Sequence, residues 1–483
     1  MTATPVKTRF APSPTGRLHL GNLRTALLNC LLARHHGGGF LLRVEDSDLA
    51  RNKADGVANL QADLRWLGLT WDEGPGSGQP ASDWQQSARG AIHDQAVDQL
   101  LDNGLAYPCF CSAERLQSLR AEQKKAGLPP RYDGHCAGIP ADVAAARLAA
   151  GESASIRLRM PGDGTIGFDD LVRGRQTFSV EALSDPVIRR ADGSAAFLLA
   201  NAVDDAQMGI THVIRGEDHL SNTPRQIVLL ESLGLEAPGY GHVGLVVNTD
   251  GTPLSKRTGA AGVDELARQG YRPEAVINYL ARLGGSIPTD ELHSLEALAA
   301  MFTVRGLNRG PARFDRAQLD HWQTKAMAHL TTDELGDAAA SAGVPADLQV
   351  SFTALVHPNL KTLADVDDWA RRLCDSGAEV LDPAATPAED LALIIEASPA
   401  FFLAARDALD ACSTSDWATV RPALEAATGT RGGRLMKPLR LALTGLGYGP
   451  TIGEIIEFMP AATRRARLAH AAELATTGVP PNA

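Results

Sequence analysis

The chain has 483 residues, 44% of them hydrophobic and 21% charged, so it is too long for one compact core and is predicted to form about three domains. No stretch approaches the roughly 20 consecutive apolar residues of a membrane-spanning helix, and residues 1–7 lack the apolar region of a secretory signal, so we expect a cytoplasmic protein without membrane contacts. The formal charge of −11 excludes a general nucleic-acid coat but allows one specific RNA held by local basic patches.

The first hundred residues alternate between strand and helix patterns. Strands are predicted at residues 7–11 and 40–44, and amphipathic helices at residues 21–34 and 55–69. A turn rich in proline and glycine, residues 12–16, separates the first strand from the first helix. This alternation predicts a parallel sheet with crossover helices.

The middle of the chain has a different composition. Between residues 109 and 184, basic, proline-rich and glycine-rich pieces surround two short β runs, at residues 155–160 and 177–180. This change in composition indicates an insertion into the sheet domain.

The α/β pattern then resumes with residues 197–203, a strand at 210–214, a helix at 223–233 and a strand at 241–247. Beyond about residue 264 the pattern is almost wholly helical, beginning with a helix at 273–283. The C-terminal part is therefore predicted to be all-α.

The turn at residues 12–16 leads into a helix that carries His19 and Gly21 near its start. Two prolines stiffen the turn, and Gly16 lets it bend. A helix N-terminus presents unpaired N–H groups and a partial positive charge, which suits a triphosphate. His19 can donate to a phosphate oxygen, and Gly21 would let a flat base approach the backbone. These features predict a nucleotide site.

The whole string from residue 9 to residue 21, Arg-Phe-Ala-Pro-Ser-Pro-Thr-Gly-Arg-Leu-His-Leu-Gly, resembles the first signature of class I aminoacyl-tRNA synthetases, in the form used by bacterial glutamyl-tRNA synthetases. The resemblance continues through residues 23–29 and 42–48. Residues 253–257, Pro-Leu-Ser-Lys-Arg, resemble the family's second signature loop, although the family usually has lysine where Pro253 stands.

This resemblance implies an α/β fold, with a Rossmann-like class I synthetase catalytic domain, an inserted acceptor-binding domain, and then all-α stem-contact and anticodon-binding domains. The expected boundaries are 1–86 and 196–243 for the catalytic domain, 87–195 for the insertion, 244–332 for the stem-contact domain, and 333–392 and 393–483 for two anticodon-binding subdomains.

The resemblance also implies the activity of a glutamate–tRNA ligase. Such an enzyme activates L-glutamate with ATP and Mg²⁺ to glutamyl-adenylate and then charges tRNA(Glu), releasing AMP and pyrophosphate. His19, Gly21 and Lys256 are the expected catalytic residues, with Lys256 meeting the phosphates as charge shifts during transfer. The residues expected to contact ATP are Pro12, Thr15, Gly16, His19, Gly21, Asp218, Leu254, Ser255, Lys256 and Arg257.

A pocket that prefers glutamate over glutamine must pair with a carboxylate, and arginine does so with two parallel hydrogen bonds. Arg9, Arg43 and Arg215 sit at predicted strand ends, on the edge of the sheet where open α/β folds bind ligands. By resemblance, Arg9 and Arg215 clasp the glutamate and Glu45 holds its ammonium group. The expected pocket comprises Arg9, Ala11, Ser13, Glu45, Phe197, Asn201 and Arg215, and the family usually has tyrosine in place of Phe197.

Three of the six cysteines, Cys109, Cys111 and Cys136, cluster in the insertion. Zinc takes four ligands at tetrahedral angles, and a Cys-x-Cys turn can supply two of them. Many glutamyl-tRNA synthetases add a histidine two places after the third cysteine, where this chain has glycine. The string Tyr-Asp-Gly-His-Cys instead resembles glutamyl-queuosine tRNA synthetases, in which tyrosine is the fourth ligand. We therefore expect Zn²⁺ on the three cysteines and Tyr132, with His135 as the alternative ligand and three metal-free cysteines as the competing interpretation.

By resemblance, the insertion binds the acceptor end of the tRNA and the helical region after residue 333 reads the anticodon. In the basic strip at residues 431–440, Lys437 and Arg440 are the candidate RNA contacts, although a charge run is more often a solvated face. We expect a monomer that binds tRNA(Glu) and no DNA.

Several alternatives stay open at this stage. The enzyme could also charge tRNA(Gln) or be directed to it, or it could be a glutamyl-queuosine tRNA(Asp) synthetase, a relative that lacks an anticodon domain. From other classes, a small-molecule nucleotidyltransferase would need neither the arginine pocket nor the helical extension. A catalytically silent RNA-binding paralogue would not need to retain His19, Gly21 and Lys256.

Overall fold

The computed structural model describes residues 5–48, 52–252, 254, 262–285, 287–375, 377 and 380–477. The chain forms two compact units, one of Met1–Arg268 with Pro273–Leu319 and the other of Gln269–Arg272 with Asp320–Ala483. The first unit is α/β, and the described part of the second is helical, as the sequence predicts. Among the helices of these described residues, none is both long enough and apolar enough to cross a membrane.

All strands of the described chain belong to the first unit. They are β1 (Lys7–Phe10), β2 (Gly39–Leu42), β3 (Ala106–Cys109), β4 (Ser155–Leu158), β5 (Thr165–Asp170), β6 (Gly174–Ser179), β7 (Val187–Arg189), β8 (His212–Gly216), β9 (Gly239–Val243), β10 (Val246–Val247) and β11 (Ala312–Arg313).

The helices of the first unit are α1 (Leu20–His35), α2 (Gly56–Trp66), α3 (Gly90–Asp102), α4 (Ala113–Lys125), α5 (Ala141–Ala149), α6 (Val180–Leu183), α7 (Phe197–Gln207), α8 (Thr223–Leu233), α9 (Val263–Arg268), α10 (Pro273–Arg282) and α11 (Leu295–Met301). Helix α12 (Arg316–Ala328) contains the division between the units. The helices that follow are α13 (Thr332–Ser341), α14 (Gln349–Val356), α15 (Asp365–Cys374), α16 (Ala388–Ala411), α17 (Trp417–Thr428), α18 (Gly433–Thr444), α19 (Ile452–Phe458) and α20 (Ala461–Thr477).

The centre of the first unit is parallel β structure. β1 pairs with β2 and β8 pairs with β9, both in parallel, and a 2.9 Å hydrogen bond from Thr211 N to Lys7 O joins the two pairs. Phe40, Leu41 and Leu42 are all buried, which is typical of a parallel strand covered on both faces. Because the strands are parallel, the residues that follow them meet at one edge of the sheet.

Helix α1 is buried far more completely than the sequence predicts. Its pattern indicates one apolar face, yet Leu20, Leu23 and every residue from Ala26 to Ala33 are buried. The helix packs against β1 and β8 on one side and against α10 and α11 on the other. The expectation of a single buried face was wrong because α10 and α11, which are distant in sequence, cover the side that would otherwise face solvent.

The insertion contains two antiparallel sheets. β4 pairs with β3 on one side and β7 on the other, and β5 forms a hairpin with β6. The β run predicted at residues 177–180 overlaps the end of β6, which begins earlier, at Gly174, and ends at Ser179, because Val180 already begins α6. Immediately after β5, a 2.8 Å hydrogen bond from Leu171 N to Tyr240 O ties the hairpin to β9. The insertion is therefore fastened to β9 of the parallel sheet.

The strand predicted at residues 241–247 is two strands. β9 ends at Val243, and β10 pairs in parallel with β11. A Cβ added to Gly244 would lie 2.0 Å from the carbonyl oxygen of Gly310, so only glycine permits this close approach of the two chain segments. The apolar run at residues 241–247 is therefore divided between two sheets, and a local sequence pattern cannot predict this division.

The second unit has its own apolar core, which includes Phe352, Phe402 and Leu439. Helix α16 is kinked at Ser398, whose φ is +72°, because Pro399 follows it and lacks the N–H that a continuous helix needs. The basic strip at residues 431–440 lies mostly within α18, which begins at Gly433, so exposed basic side chains alternate with buried apolar ones along it.

Candidate active site

A cavity of about 390 Å³ lies at the carboxyl ends of β1, β8 and β9, beside the first turn of α1. This is the edge at which open parallel sheets bind ligands, because the loops that leave the strands enclose a crevice there. Of the predicted site residues, those that line the cavity are Arg9, Ala11, Pro12, His19, Gly21, Glu45, Phe197, Asn201, Arg215, Asp218 and Leu254.

Three predicted residues do not line this cavity. A 2.8 Å hydrogen bond from Thr15 N to Ser13 O closes a tight turn, which leaves both of these side chains exposed. Gly16 lies in the same turn, with a φ of +128°, which favours glycine. The predicted contacts at Ser255, Lys256 and Arg257, together with Pro253, lie outside the described residues.

His19 and Gly21 form the entry to α1. His19 is the N-cap residue, and its Nδ1 accepts a 3.3 Å hydrogen bond from Asn22 N. An accepting Nδ1 places the proton of the neutral ring on Nε2. A Cβ added to Gly21 would lie 3.1 Å from two atoms of the His19 ring, so the glycine also leaves room for the histidine to adopt this orientation.

Arg9 and Arg43 are paired with one buried carboxylate. Arg9 donates from Nε and Nη2 to the two oxygens of Asp205, at 3.1 and 3.2 Å, and Arg43 Nη1 donates to Asp205 Oδ1 at 2.6 Å. Burial raises the pKa of Asp205, but the charges of Arg43 and Arg9 outweigh it and hold this pKa below its ordinary value. Arg43 also donates to Glu45 Oε1 at 3.0 Å. Asp205 was not among the residues predicted for the site.

Arg215 is held differently, by neutral groups. It donates from Nε to His242 Nε2 at 3.1 Å, and from Nη2 to Thr223 Oγ1 and Gln226 Oε1, both at 2.7 Å. Its side chain is buried over the ring of Tyr240, and burial lowers the pKa of Arg215 to about 10, which leaves it charged at neutral pH.

Within the described part of the chain, Nη1 of Arg215 is buried with no hydrogen-bond partner, and no carboxylate forms an ion pair with this guanidinium. A buried charge is costly unless it is paired. Because Arg215 lines the cavity, the arrangement favours an anionic group at this point.

The three residues that accept from Arg215 were not predicted from the sequence. Arg215 and His242 occupy the same register position on β8 and β9. A polar residue on an otherwise apolar buried strand was the available signal, since buried polar side chains are usually hydrogen-bonded.

In the insertion, the three clustered cysteines come together with a tyrosine. The sulfur atoms of Cys109, Cys111 and Cys136 lie within 4.8 Å of one another. The hydroxyl of Tyr132 lies 3.5 Å from the sulfur of Cys109 and 3.8 Å from that of Cys111. Burial raises the pKa of Cys109, but hydrogen bonds, chiefly from Tyr132, lower it to about 7. His135 is exposed.

Comparison with known proteins decides the family. Residues 5–321 match the model of the catalytic domain of class I tRNA synthetases (E and Q), and residues 317–472 match an anticodon binding domain. The chain belongs to the class I tRNA synthetases. The predicted fold class and family are confirmed.

Relatives of this synthetase are similar over their full length. It is 47% identical to glutamate–tRNA ligase 2 of Alkalilimnicola ehrlichii over 489 residues, covering 99% of this chain and 100% of the relative. It is 45% identical to glutamate–tRNA ligase 1 of Halorhodospira halophila, covering 97% of each. Among solved structures, a glutamate tRNA ligase from Elizabethkingia meningosepticum, in complex with its amino acid, superposes with a TM-score of 0.80 at 28% identity, covering 97% of this chain and 99% of that chain.

Two predicted RNA contacts of the synthetase lie in the segment that matches the anticodon binding domain. Lys437 is exposed on α18, whereas Arg440 is half-buried and donates from Nη1 to the carbonyl oxygen of Pro450. Burial lowers the pKa of Arg440. Lys437 is therefore the more available of the two for a phosphate contact.

Proposed function

We propose that this synthetase is a glutamate–tRNA ligase, which activates L-glutamate with ATP to glutamyl-adenylate and transfers the glutamyl group to the 3′ end of tRNA(Glu), releasing AMP and pyrophosphate. The observation that carries the proposal is Nη1 of Arg215, a buried cationic donor with no hydrogen-bond partner among the described residues, on an arginine that lines the cavity. The glutamate–tRNA ligases among its relatives, similar over the full length, support the same activity.

In this proposal, Arg215 binds the side-chain carboxylate of glutamate by charge-assisted hydrogen bonds from Nη1. Arg9 and Arg43 keep their pairing with Asp205 and hold the cavity wall in place, and Arg9 adds positive potential beside the substrate. Glu45 Oε1 already accepts from Arg43 and Asn201. Its Oε2, which has no hydrogen-bond partner among the described residues, would take the substrate ammonium group.

The nucleotide would bind at the entry to α1. His19 would donate from Nε2 to a phosphate oxygen, and the first N–H groups of the helix would add positive potential. ATP would bring Mg²⁺, which offsets phosphate charge. The reaction needs no general base in its first step, because the substrate α-carboxylate is ionised at neutral pH. Positioning and electrostatic stabilisation therefore account for catalysis.

Aminoacylation assays with separated tRNA species test this function. Glutamate should be attached to tRNA(Glu) in an ATP-dependent reaction, and glutamine should not. Charging of tRNA(Gln) would identify a non-discriminating enzyme, and modification of tRNA(Asp) alone would identify the queuosine-modifying alternative. Attachment of no amino acid to any of these RNAs would contradict the proposal.

We also propose that the cysteine cluster holds Zn²⁺, with Tyr132 as the fourth ligand. The donor set fits, since three thiols and one hydroxyl lie together and the thiols can deprotonate on binding metal. The metal would tie the end of β3 to the loop that carries Tyr132 and Cys136. It takes no part in the proposed reaction.

Tyr132→Phe is expected to lower zinc affinity by at least about 10-fold, since even loss of an outer partner acts on that scale. Elemental analysis of the purified enzyme should give about one zinc per chain, and chelator competition measures the affinity. His135→Ala is the control and should keep wild-type affinity. Substoichiometric zinc in the undamaged wild type, or loss of metal in His135→Ala but not in Tyr132→Phe, would refute this ligand set.

Lys437→Ala is expected to raise KM for tRNA several-fold and to reduce the slope of log K against log salt by about one, as for loss of one phosphate contact. Glutamate and ATP should bind as before, because the cavity-lining residues that the structure describes all belong to the first unit. Lys361→Ala, also in the second unit, serves as the matched control. An unchanged salt slope in the Lys437 variant would argue against an RNA contact there.

A further inference from the structure

A buried carboxylate–imidazole pair stands directly behind the pocket arginine. Asp170 ends β5 of the insertion, and its Oδ2 lies 2.5 Å from His242 Nδ1. His242 lies on β9, and its other ring nitrogen accepts from Arg215 Nε at 3.1 Å. Neither Asp170 nor His242 lines the cavity. The proposed reaction therefore leaves this pair without a role.

The hydrogen bonds around Asp170 determine its protonation state. Its Oδ1 accepts from the backbone N–H groups of Val172, Arg173 and His242, at 2.9, 2.8 and 3.2 Å. Burial raises the pKa of Asp170, but these hydrogen bonds, with the one from His242, keep the pKa below its ordinary value. Asp170 is thus an ionised carboxylate that only accepts, so the proton it shares with His242 belongs to Nδ1 of the imidazole.

That tautomer leaves Nε2 of His242 as an acceptor. Arg215 Nε donates to it, and the hydroxyl of Thr223, 2.9 Å away, can donate as well. Burial and the charge of Arg215 lower the pKa of His242, so the ring is neutral at neutral pH. A proton on Nε2 would instead face the N–H of Arg215 and remove this anchor.

A second chain of hydrogen bonds starts from the same guanidinium. Gln226 accepts from Arg215 at 2.7 Å and donates to Asn201 Oδ1 at 2.9 Å, and Asn201 donates to Glu45 at 2.6 Å. Together the two chains engage Nε and Nη2 of Arg215. Among the described residues no group accepts from Nη1, so this nitrogen remains for a ligand, and the plane of the guanidinium is fixed.

We infer that Asp170 and His242 are positioning residues for substrate recognition: Asp170 holds His242 in the tautomer that anchors Arg215, and this aims Nη1 at the side-chain carboxylate of the amino acid. The inference rests on the proposed function, because it takes glutamate as the ligand of Arg215. It also gives the insertion a part in amino-acid binding, through a residue of its β5–β6 hairpin.

Two substitutions of His242 isolate the accepting atom. In His242→Gln the longer side chain can place its amide oxygen near the former Nε2, whereas in His242→Asn the amide reaches only as far as the former Nδ1. Both replacements are neutral and polar, so they differ chiefly in whether Arg215 keeps an acceptor. The KM for glutamate is expected to rise about 10- to 100-fold in His242→Asn, the scale of a hydrogen bond to a charged group, and to be substantially rescued in His242→Gln.

Asp170→Asn tests the tautomer. The amide oxygen must face the three backbone N–H groups, so the amide NH₂ faces Nδ1 of His242 and moves the ring proton to Nε2. The KM for glutamate should again rise about 10-fold or more, and selectivity for glutamate over glutamine should fall. KM for ATP should stay within about twofold of wild type in all these variants, because the pair lies on the amino-acid side of the cavity.

The measurements are ATP–pyrophosphate exchange with tRNA present, at varied glutamate, glutamine and ATP, together with thermal unfolding. His212→Asn, on β8 and outside the cavity, is the matched control and should keep the wild-type KM. Equal glutamate KM values for the two His242 variants, or wild-type values in His242→Asn and Asp170→Asn, would overturn the inference. Arg215→Gln in the same series distinguishes failure of the inference from failure of the proposed function. If Arg215→Gln loses selectivity for glutamate while the His242 variants behave like the wild type, only the positioning role is refuted. If the wild-type enzyme does not activate glutamate, both the positioning role and the proposed function are refuted.

Discussion

Replacing Arg215 with glutamine is expected to lower kcat/KM for glutamate by about 10²–10³-fold and to abolish the preference for glutamate over glutamine. Loss of one partner of a buried, hydrogen-bonded charge pair costs about 2–5 kcal/mol, and the middle of that range corresponds to this loss of rate. Glutamine at this position retains polarity but carries no charge to offset the substrate carboxylate.

Parallel kinetics with glutamate and glutamine measure this effect. Arg34→Gln is a suitable control, because Arg34 lies on helix α1 away from the cavity and donates a hydrogen bond to the hydroxyl of Thr70. If Arg215→Gln still discriminates between the two amino acids, the substrate side chain binds elsewhere and the pocket assignment fails.

Replacing Lys256 with alanine is expected to lower the rate of ATP–pyrophosphate exchange by about 10²–10³-fold, the scale of losing one charged contact made in the transition state. The expectation comes from the resemblance of residues 253–257 to the second signature loop, since Lys256 lies outside the described residues. The loss should appear mainly in kcat, because the contact strengthens as charge shifts to the leaving pyrophosphate.

Lys7→Ala provides the comparison for this substitution. Lys7 begins β1, at the opposite end of the strand from the cavity, and pairs with Glu73. An exchange rate in Lys256→Ala equal to that of Lys7→Ala would refute the catalytic role expected for Lys256.

Local patterns predicted much of the α/β unit. The helix predicted at residues 223–233 has those bounds in the structure, and the first strand differs by a single residue. Such elements are readable because short-range hydrophobic periodicity and glycine or proline breaks decide them. The extra burial of α1 and the division of residues 241–247 between two sheets depend on α10, α11 and β11, which are far away in sequence.

The three arginines illustrate what spacing cannot reveal. Arg9, Arg43 and Arg215 all stand at predicted strand ends, and their positions along the chain do not show which of them has a counterion. In the folded chain Arg9 and Arg43 both pair with Asp205, and Arg43 pairs with Glu45 as well, whereas the described groups that accept from Arg215 are neutral. Which cation is left for a substrate is a matter of counterions brought from other elements.

The fourth predicted zinc ligand depends on tertiary structure in the same way. Tyr132 and His135 are both close to Cys136 in sequence, and coordination chemistry would favour the histidine. The turn directs the tyrosine hydroxyl toward two of the sulfurs and leaves His135 exposed.

The sequence by itself determined the family and the chemistry to expect, because the residues that surround a phosphate must follow one another in a fixed order along a turn and a helix. Residues 9–21 carry that order within a single segment. Only the tertiary structure decided which charges stay unpaired, which nitrogen of His242 accepts and which side chains face the cavity. Those properties arise where segments as distant as Asp170, Arg215 and His242 exclude water together, and the strength and direction of each hydrogen bond depend on that shared burial.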